Sequence, residues 1–296
     1  MRLLVSFRKS RMMPLATADQ DRWLSEKQNP AYRTAYIYLE ENTFRFRRVF
    51  FVWIYDMMKS DFLKGEISMK VTYLNHSGFS VETETKVLLF DYYTESGRKA
   101  YFDPAAYPDK DIFVFVSHAH EDHYDRRILD WGTMPNVKYV LSFDVRTMMG
   151  FEGEVLHVQP HEEYTFDGIT VKTLQSNDEG VAFLVKADGK TIYHAGDLNW
   201  WHWNGEPDFF NDDIKKSYTT EINKLKGEKI DVAFVPADLR LEDKYFWAVN
   251  YFQQTVGAEV LFPMHFWGRF DVCPMLQELG FANVMKITEE NQKFEI

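Results

Sequence analysis

From Met69 onward the apolar residues fall into short runs bounded by Gly, Asn, Asp and Ser, the punctuation of strands joined by tight turns. Such runs occupy Val71–Leu74 and Phe79–Glu82 around an Asn75-His76-Ser77-Gly78 turn, then Val87–Phe90, closed by Asp91. Ile112–Val116 reads Ile-Phe-Val-Phe-Val without a polar position, the pattern of a strand covered on both faces. Further strands are predicted over Tyr139–Ser142, Glu154–Val158, Tyr164–Phe166, Ile169–Leu174, Val181–Lys186, Thr191–His194, Val232–Val235 and Val260–Pro263, with a hairpin turn at Asp188-Gly189. Helices are expected at Arg126–Trp131, Asp144–Met149, Asp212–Leu225, Leu241–Val256 and Met275–Leu279. Strands dominate and helices are interleaved late in each half, which predicts an α/β fold of two sheets back to back with helices outside.

Residues 1–68 differ in texture. Their longest apolar stretch, Val49–Tyr55, is flanked by Arg47, Arg48 and Asp56 and falls far short of the roughly 20 residues that cross a bilayer. Arg8, Lys9 and Arg11 interrupt the place where a secretory apolar region would sit. Three readings stand side by side: a short helix or strand over Phe44–Tyr55 packed on the main domain, a poorly ordered extension, or a segment outside the native fold. The last follows from Lys64-Gly65-Glu66, which admits a purine-rich codon run of the kind that precedes a bacterial start, just ahead of the strand pattern opening at Met69. The expected organisation is an N-terminal extension, 1–68, and one domain, 69–296.

Charge supports that boundary. The 296 residues carry a formal charge of -11, but residues 1–68 hold 12 Lys/Arg against 8 Asp/Glu, whereas 69–296 hold 22 against 37. A net negative body argues against nucleic acid as a partner, because that affinity rests on Lys and Arg facing phosphates. The 45% apolar content excludes global disorder, and the lone Cys273 excludes an internal disulfide framework and any zinc site built on several cysteines. A reducing, cytoplasmic location is expected, with no membrane span.

The chemistry is concentrated directly after the apolar strand, in Ser117-His118-Ala119-His120-Glu121-Asp122-His123. Three imidazoles and a carboxylate packed that densely would leave polar groups without partners if they were core filler. Held at a strand end, His118 and His120 direct their rings to one metal, while Asp122 and His123 turn toward a second position. Imidazole and carboxylate donors suit Zn(II), Fe(II) or Mn(II), with zinc the default for hydrolysis.

This His-x-His-x-Asp-His run resembles the signature of the metallo-β-lactamase superfamily. Two later runs follow in the family's order, Ile192-Tyr193-His194-Ala195-Gly196-Asp197 and Phe262-Pro263-Met264-His265, so the resemblance spans residues 69–296. It implies a four-layer αββα sandwich with the metal site at one edge of the sheets. It also implies two divalent ions: the first on His118 and His120, the second on Asp122, His123 and His265, with Asp197 between them. A metal-activated water would be the nucleophile, and Asp122 would act as the catalytic group that orients it or receives its proton.

One departure stands out. Where the family usually supplies a third histidine to the first metal, this chain reads Gln175-Ser176-Asn177-Asp178-Glu179-Gly180. Asp178 is the expected substitute ligand and Asn177 the alternative. An anionic donor there would favour a harder ion such as Mn(II) or Fe(II); loss of the ligand would weaken the first site.

Outside these motifs, His76 is either a pocket or supporting residue or a plain turn histidine. Trp200 and His202, in Trp200-Trp201-His202-Trp203, read as a pocket wall or lid, with a dimer contact or a local mini-core as alternatives. Asp238 is placed to hydrogen-bond a ligand histidine, and Arg240 to meet an anionic group on a substrate or to make a surface ion pair. Within the superfamily the Asn-His-Ser-Gly-Phe opening and the His-Ala-Gly-Asp-Leu run resemble the small metal-dependent hydrolase branch that includes ascorbate-6-phosphate lactonase-like proteins. The function expected is therefore hydrolysis of a small ester, lactone or phosphoester. The alternatives are a phosphodiesterase or nuclease and a weakly active or non-enzymatic metal-binding protein. Assembly into a homo-oligomer is left open.

Overall fold

A computed structural model describes residues 68–94 and 101–296. The readings made for Phe44–Tyr55 and for the extension before Ser68 lie outside the described residues.

Two mixed sheets form the body. The first holds seven strands in the order β13-β1-β2-β3-β4-β5-β6: β1 (Lys70–Asn75), β2 (Gly78–Glu82), β3 (Lys86–Phe90), β4 (Asp111–Val116), β5 (Val137–Ser142), β6 (Glu154–Val158) and β13 (Lys293–Glu295). The second holds six in the order β12-β11-β10-β9-β8-β7: β7 (Glu163–Phe166), β8 (Ile169–Gln175), β9 (Val181–Ala187), β10 (Lys190–His194), β11 (Val232–Pro236) and β12 (Val260–Met264). Met69 and Ile296 exchange backbone hydrogen bonds at 2.8 and 2.9 Å, which ties β13 to the start of β1.

The period-2 alternation of a strand decides which residues face which layer. In β3 and β4, Leu88, Phe90, Phe113 and Phe115 point into the core between the sheets, while Val87, Leu89, Ile112, Val114 and Val116 belong to a second, outer cluster. This is why the β4 run carries no polar position. Aromatic rings bridge the two sheets, Phe79 to Phe234 at 4.3 Å and Phe115 to Phe183 at 5.2 Å between centroids. Each fully buried ring contributes about 1.5–3 kcal/mol by leaving water.

The outer layers are unlike. The second sheet is covered by α1 (Asp208–Asn223) and α2 (Trp247–Thr255), which pack on each other, with α2 also on β11. The first sheet's outer cluster is capped instead by the 3-10 helix Arg126–Trp131, which contributes Ile128 and Leu129. The expected helix over Asp144–Met149 is absent, because the Asp144 carboxylate accepts from the Ala119 amide at 2.9 Å and the chain leaves β5 as a turn and loop. The expected Leu241–Val256 helix divides into a 3-10 helix, Leu239–Lys244, itself kinked where Glu242 takes φ 54°, and α2, which begins at Trp247. A short α3 covers Val272–Glu278, and β13 carried too few apolar residues to be legible as a strand.

Strands β3 to β6 run parallel, as do β10 to β12, and the carboxyl ends of β3, β4, β10, β11 and β12 carry the loops with Asp91, His118–His123, Asp197, Asp238 and His265. Open α/β sheets place ligands at such ends.

Candidate metal centre

Close backbone approach sets the geometry. The Val181 amide donates to the Ser117 carbonyl at 2.9 Å, pinning the loop after β4 against the start of β9. Gly180 and Gly196 make this possible: a Cβ on Gly180 would lie 1.9 Å from the Ser117 oxygen, and one on Gly196 would lie 2.7 Å from the Ser117 Cβ. Both glycines also have positive φ, 69° and 51°.

Asp91 then fixes two ligand rings. Its carboxylate accepts from the Ser117 amide at 2.8 Å, from the Ser117 hydroxyl at 2.6 Å and from His123 Nδ1 at 2.7 Å. With its only proton on Asp91, the Ser117 hydroxyl accepts from His118 Nδ1 at 2.9 Å. Asp238 does the same for His265, accepting from its Nδ1 at 2.9 Å. All three rings are thus held with Nε2 turned inward.

The three Nε2 atoms converge on Asp197. Its Oδ1 lies 3.1 Å from His123 Nε2 and 3.5 Å from His265 Nε2, while its Oδ2 lies 3.6 Å from His118 Nε2. The two oxygens therefore face different groups of ligands. Two groups have donor atoms all within 4.8 Å of one another: His76, Asp122, His123 and His265, and His118, His120, Asp178 and Asp197. Asp197 is carried by a strap in which buried His194 donates from Nε2 to the Ser77 carbonyl at 2.9 Å and accepts the Gly196 amide at 3.2 Å.

Burial and charge act oppositely across the site. Burial and the neighbouring imidazoles push His76 and His118 down to about 4, leaving both rings neutral. His265 is buried too, but the Asp197 and Asp238 carboxylates outweigh that and raise it to about 9. Burial and Asp197 raise the Asp178 carboxyl. Burial alone would raise Asp122 as well, yet His76 and His123 hold it well below the usual carboxylate range.

The residues fit divalent metal ions. His76 Nδ1 and Nε2, His123 Nε2 and Asp197 Oδ1 are buried without a hydrogen-bond partner, an arrangement that costs free energy unless a cation completes it. The donor set is imidazole and carboxylate, which suits zinc, iron or manganese.

Comparison with known proteins agrees with this geometry. Residues 70–206 match the model of the β-lactamase superfamily domain. A UPF0173 metal-dependent hydrolase from Bacillus thuringiensis subsp. konkukian is 28% identical over 242 residues, 74% of this chain and 93% of the relative. One from Pyrococcus abyssi is 31% identical over 144 residues, 44% of this chain and 61% of that protein. Among solved structures, the metallo hydrolase Igni18 of Ignicoccus hospitalis has a TM-score of 0.54 at 18% identity, covering 77% of this chain and 98% of that one. The metallo-β-lactamase fold protein YhfI of Bacillus subtilis has a TM-score of 0.55 at 16% identity, covering 78% and 100%. The chain is thus similar to the β-lactamase superfamily domain over residues 70–206 and to UPF0173 metal-dependent hydrolases over about three quarters of its length.

A cavity of about 350 Å³ opens onto the site, lined by His120, Asp122, Asn177, Asp178, Asp197, Trp201, Trp203, Phe210, Ile214, Arg240, His265 and Trp267. The structure places Trp200 and His202 elsewhere. Trp200 packs edge-on to Trp247 at 5.3 Å and near Tyr218 and Tyr251, and the His202 ring lies 4.8 Å from Trp247, so both face the helical layer while Trp201 and Trp203 form the wall. Arg240 holds Asp238 through Nε at 2.8 Å and Nη2 at 2.5 Å, with its guanidinium 5.1 Å from the Trp267 ring centre and 5.9 Å from that of Trp203. The Asn177 amide is committed, donating to the Asn199 carbonyl at 2.8 Å and the Ser217 hydroxyl at 3.1 Å and accepting from the Asn199 amide. Asp178, its neighbour, turns toward His120 Nδ1 at 3.9 Å. Asp91, Ser117 and His194 were missed as functional residues; the only sequence signal was their position at strand ends.

Proposed function

We propose that this protein is a cytoplasmic metal-dependent hydrolase of small esters or lactones, using two divalent ions with zinc as the default. The observation that carries the reading is the pair of donor clusters that meet at Asp197, whose Oδ2 faces His118 and whose Oδ1 faces His123 and His265, beside one cavity. The first ion is assigned to His118, His120 and Asp178, the second to Asp122, His123 and His265, with Asp197 between. Bound there, the ions supply Lewis acidity, which acidifies water and polarises a scissile carbonyl.

The chain's own groups do the rest. Asp122 reaches the cavity with its carboxyl held ionised, so it accepts a hydrogen bond from water at the site and orients that water. Trp201, Trp203, Phe210, Ile214 and Trp267 give the cavity an apolar side that excludes water and holds the part of the substrate away from the scissile bond. A buried free thiol at Cys273 accords with a reducing compartment.

Phosphoester cleavage is the second reading, favoured by Arg240 at the cavity wall. Arg240 is already paired with Asp238, and it faces a cavity that also holds the carboxyls of Asp122, Asp178 and Asp197, so carboxylic esters and lactones are preferred. The test is hydrolysis of p-nitrophenyl acetate, a small lactone and bis-p-nitrophenyl phosphate by the purified protein before and after chelation. Ester and lactone turnover should vanish on chelation, return with added zinc or manganese, and be lost in His120→Ala. Undiminished turnover after complete metal removal would refute the assignment; activity on the phosphodiester alone would select the second reading.

A further inference from the structure

We propose that His76 is itself a metal ligand, giving one cluster three imidazoles and one carboxylate while the other has two of each. The residue lies outside the three runs expected to supply ligands, in the Asn75-His76-Ser77-Gly78-Phe79 opening. It sits in the turn between β1 and β2, whose backbone is built to present it: the His76 amide donates to the Tyr73 hydroxyl at 3.0 Å, its carbonyl accepts the His265 amide at 3.3 Å, and φ is 52°. A left-handed non-glycine residue costs about 1–2 kcal/mol, so the turn is held by these bonds rather than by its own preference.

The side chain explains the arrangement. Only 2% of His76 is exposed, and neither ring nitrogen has a hydrogen-bond partner. A plain turn histidine would reach solvent, whereas this ring is buried among other donors, and no carboxylate behind it receives its Nδ1 as Asp91 and Asp238 receive those of His123 and His265. Its Nε2 lies 3.3 Å from Asp122 Oδ2, and its ring centre is 4.1 Å from that of His265 and 5.5 Å from that of His123. A lone pair aimed into a closed group of three other donors is what a coordinated cation satisfies.

The consequence is chemical. The His76 cluster is buried apart from Asp122 and rich in borderline nitrogen donors, so it retains a zinc-like ion. The His118 cluster has two carboxylates and two half-exposed donors, His120 at 45% and Asp178 at 46%, so it exchanges its ion more readily and accepts harder ones. The protein therefore carries one resident and one exchangeable metal. This inference rests on the dinuclear reading above.

The experiment is to load the chelated full chain with Co(II) and record its proton NMR spectrum. Five paramagnetically shifted imidazoles, from His76, His118, His120, His123 and His265, are expected; four, with two Co(II) bound, would overturn the role of His76. No bound Co(II) at all would instead defeat the dinuclear reading. In parallel, His76→Asn keeps a residue tolerant of the left-handed turn, and equilibrium dialysis with zinc should show the tighter of two binding classes weakened beyond the roughly 10–100-fold that loss of a supporting residue costs. Retention of both classes at wild-type affinity in the folded variant would contradict the assignment.

Discussion

The two halves of the metal centre are built on different principles. The half around His123 and His265 is assembled at strand ends, and each of these rings is oriented by a buried carboxylate, Asp91 or Asp238. The half around His120 and Asp178 joins the loop after β4 to the loop between β8 and β9, and its outer donors stand half in solvent. Sheet ends fix side chains through long-range backbone pairing, whereas a loop fixes them through local hydrogen bonds that open more easily. On the proposed dinuclear reading, the contrast makes one metal position rigid and the other adjustable.

Asp197 is the point where the halves meet, so its removal should erase the contrast. In Asp197→Asn one carboxylate that faces His118 on one side and His123 and His265 on the other becomes neutral. Both zinc-binding classes should weaken by more than the roughly 100-fold typical of supporting residues, and ester hydrolysis should fall to background. Isothermal titration of the chelated variant checks this. Loss of only one class would show that Asp197 serves a single ion.

Asp91 tests whether rigidity comes from behind the ligands. It accepts three hydrogen bonds in full burial, two from Ser117 and one from His123. Replacing it with Asn turns one acceptor into a donor that faces other donors, at a cost of about 1–3 kcal/mol for each group left unpaired. Urea unfolding of the metal-free protein should register that loss, and metal affinity should drop roughly 10–100-fold. Unchanged stability would mean that the loop after β4 is held by the Val181 and glycine contacts alone.

Much of this was legible in the chain. Apolar runs located twelve strands because sheet pairing keeps the period-2 pattern visible, and the clustered donors after β4 announced a metal. The helix expected at Asp144 failed because one carboxylate found the Ala119 amide, a partner remote in sequence. Trp200 and Trp201 could not be told apart: adjacent aromatics have equal composition, and only the fold decides that one meets α2 while the other lines the cavity. Asp91 was invisible for the same reason, since an Asp that closes a strand reads as a turn residue until Ser117 and His123 are folded against it.

The adjustable half makes the last and smallest prediction. By distance alone Glu179 is the nearer acid to His120, its Oε2 3.5 Å from Nε2, against 3.9 Å from Asp178 Oδ2 to Nδ1. The ring nitrogen decides between them. His118 Nε2 lies 3.0 Å from His120 Nδ1, so an ion shared by these two rings sits on the Nδ1 side, where Asp178 is and Glu179 is not. Glu179 instead faces the outward nitrogen, where it favours the proton on Nε2 and leaves the Nδ1 lone pair free. Asp178→Asn should therefore weaken the more exchangeable metal by on the order of tenfold or more. Glu179→Gln should change it by no more than about fivefold, the scale of an exposed ion pair. Equilibrium dialysis of both variants with zinc and manganese reads the difference. If the two fall equally, the loop supplies diffuse negative charge and the first ion is held by imidazoles and Asp197 alone.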